Sequence, residues 1–143
     1  MFEIYNKYGF DHFRFESYEI TIMKYSNNLC CVDGFNNIKV NQEFMSLDIN
    51  TQKFVLYHEL GHIHYKHNSR QIIFNKIYKF KRKIYFRLGL VVKEEIQADK
   101  YAVKQLGKVK ALKAIRETIN LFKSQGLVTK ELETRELLIK LFR

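Results

Sequence analysis

Proline and tryptophan are absent from the 143 residues, glycine occurs six times and cysteine only twice. The two cysteines are neighbours, Cys30 and Cys31, so they cannot build a disulfide framework, and a reducing cytoplasm is the expected compartment. No uncharged apolar run approaches 18 residues, which argues against a membrane-spanning helix. Residues Met1 to Phe10 carry Glu3 and Lys7 among scattered aromatics and hold no apolar core of a signal peptide. No repeat, low-complexity tract or linker interrupts the chain. The missing proline, beside abundant Lys, Ile, Asn, Tyr and Phe, reads as a bias of base composition.

What is present points to one globular domain spanning 1–143. Hydrophobic residues make up 46% of the chain, and 12 Phe with 9 Tyr supply enough bulk for a core. The formal charge of +10 is unevenly placed: residues 1–60 sum to −3 and residues 61–143 to +13. From Lys66 to Lys93 there are nine Lys/Arg and no acid. Such a segment is either a solvated helix face or an attractor of phosphate or an anionic membrane surface.

Alternation predicts strands first. Tyr18–Tyr25, Leu29–Phe35 and Asn37–Asn41 are rich in β-branched and aromatic residues, with Asp33-Gly34 and Asn36-Asn37 between them as turn formers. The opening segment through Phe15 fits either a short helix or an extra edge strand. Helical spacing takes over near residue 50, with Asn50 or Thr51 as N-cap. Further helices are expected over Gln71–Leu88, Val92–Leu106 and Val109–Lys123, and a last one behind Thr129 that docks through Leu132, Leu138, Ile139 and Phe142. The class is therefore α+β by segregation: a small, mostly antiparallel N-terminal sheet followed by a helical part.

The residues that carry chemistry are His58-Glu59-Leu60-Gly61-His62. Positions four apart on an α-helix lie on one face, about 6 Å apart along the axis, so both imidazoles can reach one ion. Glu59 sits beside them as a general base that is not itself a ligand. Downstream, Glu94-Glu95-Ile96-Gln97-Ala98-Asp99 falls in a predicted helix. There Glu95 can supply a third ligand, and Asp99, one turn on, can accept a hydrogen bond from the second nitrogen of a ligand histidine. Gly61 and Ala98 are small where two helices must approach closely.

His58-Glu59-x-x-His62 followed by Glu95-x-x-x-Asp99 resembles the gluzincin zinc metallopeptidases. The wider context, Val55-Leu-Tyr-His-Glu-Leu-Gly-His-Ile63 and Glu95-Ile-Gln-Ala-Asp-Lys-Tyr-Ala102, is similar to the soluble catalytic core of HtpX-type peptidases, to minigluzincins and to ImmA/IrrE proteases. By order of elements the resemblance covers roughly residues 29–124, while its specific motifs are the two just quoted. It implies a zincin-like fold, one Zn2+ per chain on His58, His62 and Glu95, Glu59 as catalytic acid/base, Asp99 as orienter, and a protein or peptide substrate. HtpX-type membrane helices are absent, and ImmA/IrrE proteins usually have Asn where Asp99 stands. Tyr65 and Asn68 replace the Gly and His that a metzincin extension requires.

A second electrophile for the oxyanion is expected among His64, His67, Tyr65, Tyr101 and Arg116, although His64 and His67 read as surface residues and Tyr101 as packing. Gluzincin-like folds offer an edge strand to extended substrates, and Leu29–Phe35 is the candidate, with Cys30 and Cys31 on its opposite faces in packing roles. The tail Leu127–Arg143 is in reach to block the cleft, as in some minimal relatives. The alternative reading is a degenerate peptidase fold that binds nucleic acid or an anionic partner through the basic 66–93 segment. A third is a peripheral membrane enzyme anchored by the 71–88 helix. Glu59 favours the enzyme, because a binding module has no need of a base between two ligand histidines.

Overall fold

Short alternating segments pair into a five-stranded sheet: β1 (Tyr5–Lys7), β2 (Phe10–Phe15), β3 (Tyr18–Met23), β4 (Cys30–Val32) and β5 (Ile38–Asn41), in the order β1-β2-β3-β5-β4. This is a computed structural model that describes residues 1–67 and 75–143, the side chains of 75–79 excepted. The β3–β5 pair is parallel and the other pairings are antiparallel. The ambiguous opening segment is thus two strands, β1 and β2. Register aligns Phe13 with Ile20, Ile20 with Ile38, and Ile38 with Val32, so one face of the sheet carries a continuous apolar row. Cys30 lies opposite Val40 and Cys31 opposite Lys39, which puts the two thiols on opposite faces.

Helices follow: α1 (Gln42–Met45), α2 (Ile49–His64), α3 (Asn75–Leu88), α4 (Lys93–Leu106), α5 (Lys108–Ser124) and α6 (Lys130–Leu141). The chain is α+β, strands before helices, as the sequence pattern implies. The start of α2 differs from expectation. Asp48, not Asn50 or Thr51, is the N-cap and accepts the Asn50 amide hydrogen. Thr51 is buried inside the helix and donates its hydroxyl to Glu117, which leaves it no capping role. The predicted start of the next helix at Gln71 lies outside the described residues. Among the described residues no helix is long and apolar enough to cross a membrane.

Helix α2 sits between two apolar cores. One face, with Leu56 and Leu60, packs on the sheet against Phe13, Phe15, Ile20, Ile22, Ile38 and Val40. The other, through Phe54, meets Ala102 of α4, Ala111, Ala114, Ile115 and Ile119 of α5, and Ile139 of α6. Burial on both sides fixes the rotation of α2 about its axis, and so fixes where His58 and His62 point.

The contact of α2 with α4 is closer than ordinary side chains allow. A Cβ added at Gly61 would lie 2.9 Å from Ala98 Cα and 3.0 Å from Tyr101 Cβ. Glycine at 61 and alanine at 98 therefore set the distance between the helix bearing the histidines and the helix bearing Glu95. Gly61→Val is expected to destabilise the fold by about 3 kcal/mol through overpacking, since the neighbouring atom is backbone and cannot swing away. Urea denaturation measures this, and a loss below about 0.5 kcal/mol would show that the helices are free to separate.

Candidate metal centre

Three side chains on two helices converge. His58 and His62 project from α2 and Glu95 from α4, and all three are buried. His58 Nε2 is 3.1 Å from His62 Nε2 and 3.0 Å from Glu95 Oε2, and His62 Nε2 is 3.3 Å from Glu95 Oε1. The three ligand atoms lie within 4.8 Å of one another.

The hydrogen bonds behind the rings decide what those nitrogens are. His58 Nδ1 is 2.7 Å from Asp99 Oδ1, a carboxylate that only accepts, so Nδ1 carries a hydrogen, and in the neutral ring Nε2 presents a lone pair. Arg135 Nη2 also lies 3.2 Å from His58 Nδ1, but both atoms bear hydrogens. The guanidinium instead grips Asp99, with Nε 2.8 Å from Oδ2 and Nη2 2.7 Å from Oδ1. Behind the second ring, His62 Nδ1 is 2.8 Å from His67 Nδ1, and His67 Nε2 is 2.9 Å from Gln97 Oε1. A neutral His67 that gives its Nε2 hydrogen to Gln97 has Nδ1 left to accept from His62. That leaves His62 Nε2, too, with a lone pair facing inward.

With both rings neutral, two imidazole lone pairs and the Glu95 carboxylate face one another at hydrogen-bond distance. Such a group fits a cation. The 3.1 Å between the two histidine nitrogens is close to the edge of a tetrahedron, about 3.3 Å, for ligand bonds of about 2.0–2.1 Å to zinc, and a different oxygen of Glu95 meets each ring.

Without a cation between them, a proton takes its place: at neutral pH His58 is an imidazolium whose Nε2 hydrogen faces Glu95. Burial and Arg135 push His58 down, yet the Glu95 and Asp99 carboxylates outweigh them and lift the ring to about 9. Burial, with the neighbouring His58, holds His62 below the ordinary histidine value. Burial would raise Glu95, but His58, His62 and Arg135 together hold its carboxyl well below the usual range. Asp99 is likewise lowered, since Arg135 and His58 overcome its desolvation. Glu59, on the same helix face as the pocket, is pushed by burial up to about 7.

The site opens into a pocket of about 510 Å³. One wall is the sheet edge, Asn27 to Val32, and another is the end of the chain, with Leu127, Val128, Glu131, Leu132 and Arg135. The tail expected to block the cleft therefore forms part of its wall. His58, Glu59, His62 and Glu95 all line this space.

His58, Glu59, His62, Glu95 and Asp99, named from sequence, are all brought together. His67 corrects the reading of it as a surface residue: it is 1% exposed and backs His62. His64 is exposed and rests on Tyr101, with ring centroids 5.3 Å apart. Arg116 pairs with Glu136, away from the pocket. None of the five expected oxyanion electrophiles lines the pocket, whereas Arg82 and Arg135 do. Arg82 Nη1 lies 2.9 Å from Glu95 Oε1. Sequence reasoning missed Arg135, although one signal was there: on the docking helix it stands four residues before Ile139, inside the buried stripe.

No protein-family model, curated protein or solved structure matches the chain.

Arg135→Met is expected to destabilise the protein by about 3–5 kcal/mol, because Asp99 would keep its buried charge without the fork that compensates it. Equilibrium unfolding tests this. A loss under about 1 kcal/mol would mean that His58 alone suffices for Asp99.

Proposed function

We propose that the chain is a zinc-dependent endopeptidase whose metal ligands are His58, His62 and Glu95. The observation that carries the reading is the convergence of three lone-pair donors beside Glu59 in an open pocket. Two nitrogens and one oxygen form a borderline donor set suited to zinc, and three protein ligands are the number found in catalytic sites. When bound, zinc supplies Lewis acidity: it lowers the pKa of water towards about 7 and polarises a carbonyl.

The chain's own residues do the rest. Glu59 lines the pocket without taking part in the donor triad, so its carboxylate is free to accept a proton from attacking water. The same carboxyl then hands that proton to the leaving amine. Asp99 keeps His58 in the tautomer that binds metal, and Arg135 holds Asp99 in place. His67 and Gln97 do the same for His62. Strand β4 ends the sheet where it borders the pocket, which supports an extended peptide adding there by main-chain pairing.

Purified protein is expected to bind about one zinc per chain. Glu95→Ala should lose it. His67→Leu should bind it 10–100-fold more weakly, while His67→Asn, which keeps an acceptor toward His62, should recover most of the affinity. Glu59→Gln should retain zinc yet cut cleavage of an unstructured protein at least 100-fold. Metal analysis and a cleavage assay read these outcomes. Full activity in Glu59→Gln, or unchanged zinc in Glu95→Ala, would contradict the assignment.

A further inference from the structure

From Phe80 onward, helix α3 turns its apolar side outward. Phe80, Ile84 and Leu88 recur every fourth residue and form one stripe, and they are 68%, 40% and 65% exposed. Leu90, just past the helix end, is 48% exposed and extends that patch. The body is met instead by Arg82, which reaches Glu95 and Glu131 across the pocket. Exposed Lys81, Lys83 and Arg87 flank the stripe. An apolar ridge edged by cations, in a segment with no acid from Lys66 to Lys93, is what an interfacial helix presents to a bilayer.

Charge complementarity selects the occupant. A second copy of the chain docking stripe to stripe would bring Lys81, Lys83 and Arg87 against their own counterparts. Nucleic acid would meet the cations but leave Ile84 and Leu88, the aliphatic part of the ridge, without a partner. An anionic lipid surface satisfies both: phosphates for the cations and acyl chains for Phe80, Ile84 and Leu88. We propose that α3 docks the protein on anionic membrane surfaces, its apolar stripe entering the headgroup boundary and its flanking cations pairing with lipid phosphates. The pocket wall formed by Arg82 and Phe86 of the same helix then lies next to the bilayer. The inference is independent of the metal reading, because neither the stripe nor its flanking cations belong to the donor set.

Sedimentation of the full chain with vesicles tests this, comparing phosphatidylcholine alone with phosphatidylcholine containing about 30% phosphatidylserine. Binding is expected to be at least tenfold tighter to the anionic vesicles and to weaken as salt rises. Phe80→Ser, Ile84→Ser and Leu88→Ser combined should abolish it. Removing the charges one by one, with Lys81→Gln, Lys83→Gln and Arg87→Gln, should weaken binding about fivefold at each step. Thermal melts check that each variant folds, and the two sets of substitutions are independent of each other. Equal binding to both vesicle types, or binding that survives the serine variant, overturns the proposal. So does an absence of sedimentation, whether accompanied by dimers that the serine variant abolishes or by salt-sensitive retention on duplex DNA.

Discussion

Two carboxylates, Glu95 and Asp99, are buried one helical turn apart on α4, and the surrounding structure is arranged to compensate them. Isolated buried carboxylates are costly enough that they would normally take up protons. Here Asp99 receives the fork of Arg135 and the ring hydrogen of His58, while Glu95 receives Arg82 and faces two imidazole nitrogens. These partners come from α2, α3 and α6, so the demand of two charges ties three helices to the fourth. The C-terminal helix is thereby part of the site. The close approach at Gly61 and Ala98 follows from the same requirement, because a carboxylate on α4 must come within ligand distance of histidines on α2.

The donor set makes a physical statement of its own. Asp99 fixes one tautomer and the His67–Gln97 pair fixes the other, and both choices turn lone pairs inward toward an anion. A cation bound there would take the place of the proton that His58 otherwise holds toward Glu95. Glu59 stands outside this triad but shares its pocket, and that separation of roles is what hydrolysis asks of a metal site.

Much of this was legible in the sequence, for reasons that can be named. Composition and alternation from Tyr18 to Asn41 gave three of the five strands, while β1 and β2 stayed open between helix and strand. The i,i+4 spacing of His58 with His62 and of Glu95 with Asp99 placed four site residues on two helix faces. Gly61 and Ala98 marked the contact between those helices. His67 was misread because extending α2 past its end points the ring outward. The chain in fact leaves the helix at Tyr65, and Lys66 takes a positive φ of 56°, which swings His67 back beneath His62. Arg135 and Arg82 come from elements distant in sequence, and only tertiary packing brings them to the carboxylates. The N-cap of α2 shifted to Asp48 because Thr51 is engaged by Glu117 of α5, a partner that local sequence does not reveal.

The most direct test is zinc K-edge X-ray absorption on the protein loaded with one equivalent of metal. The expected spectrum has only nitrogen and oxygen neighbours at about 2.0–2.1 Å, with the outer-shell scattering of two imidazoles. A sulfur neighbour at about 2.3 Å would place the metal on Cys30 or Cys31 instead, and together with fewer than two imidazoles would contradict the site of His58, His62 and Glu95.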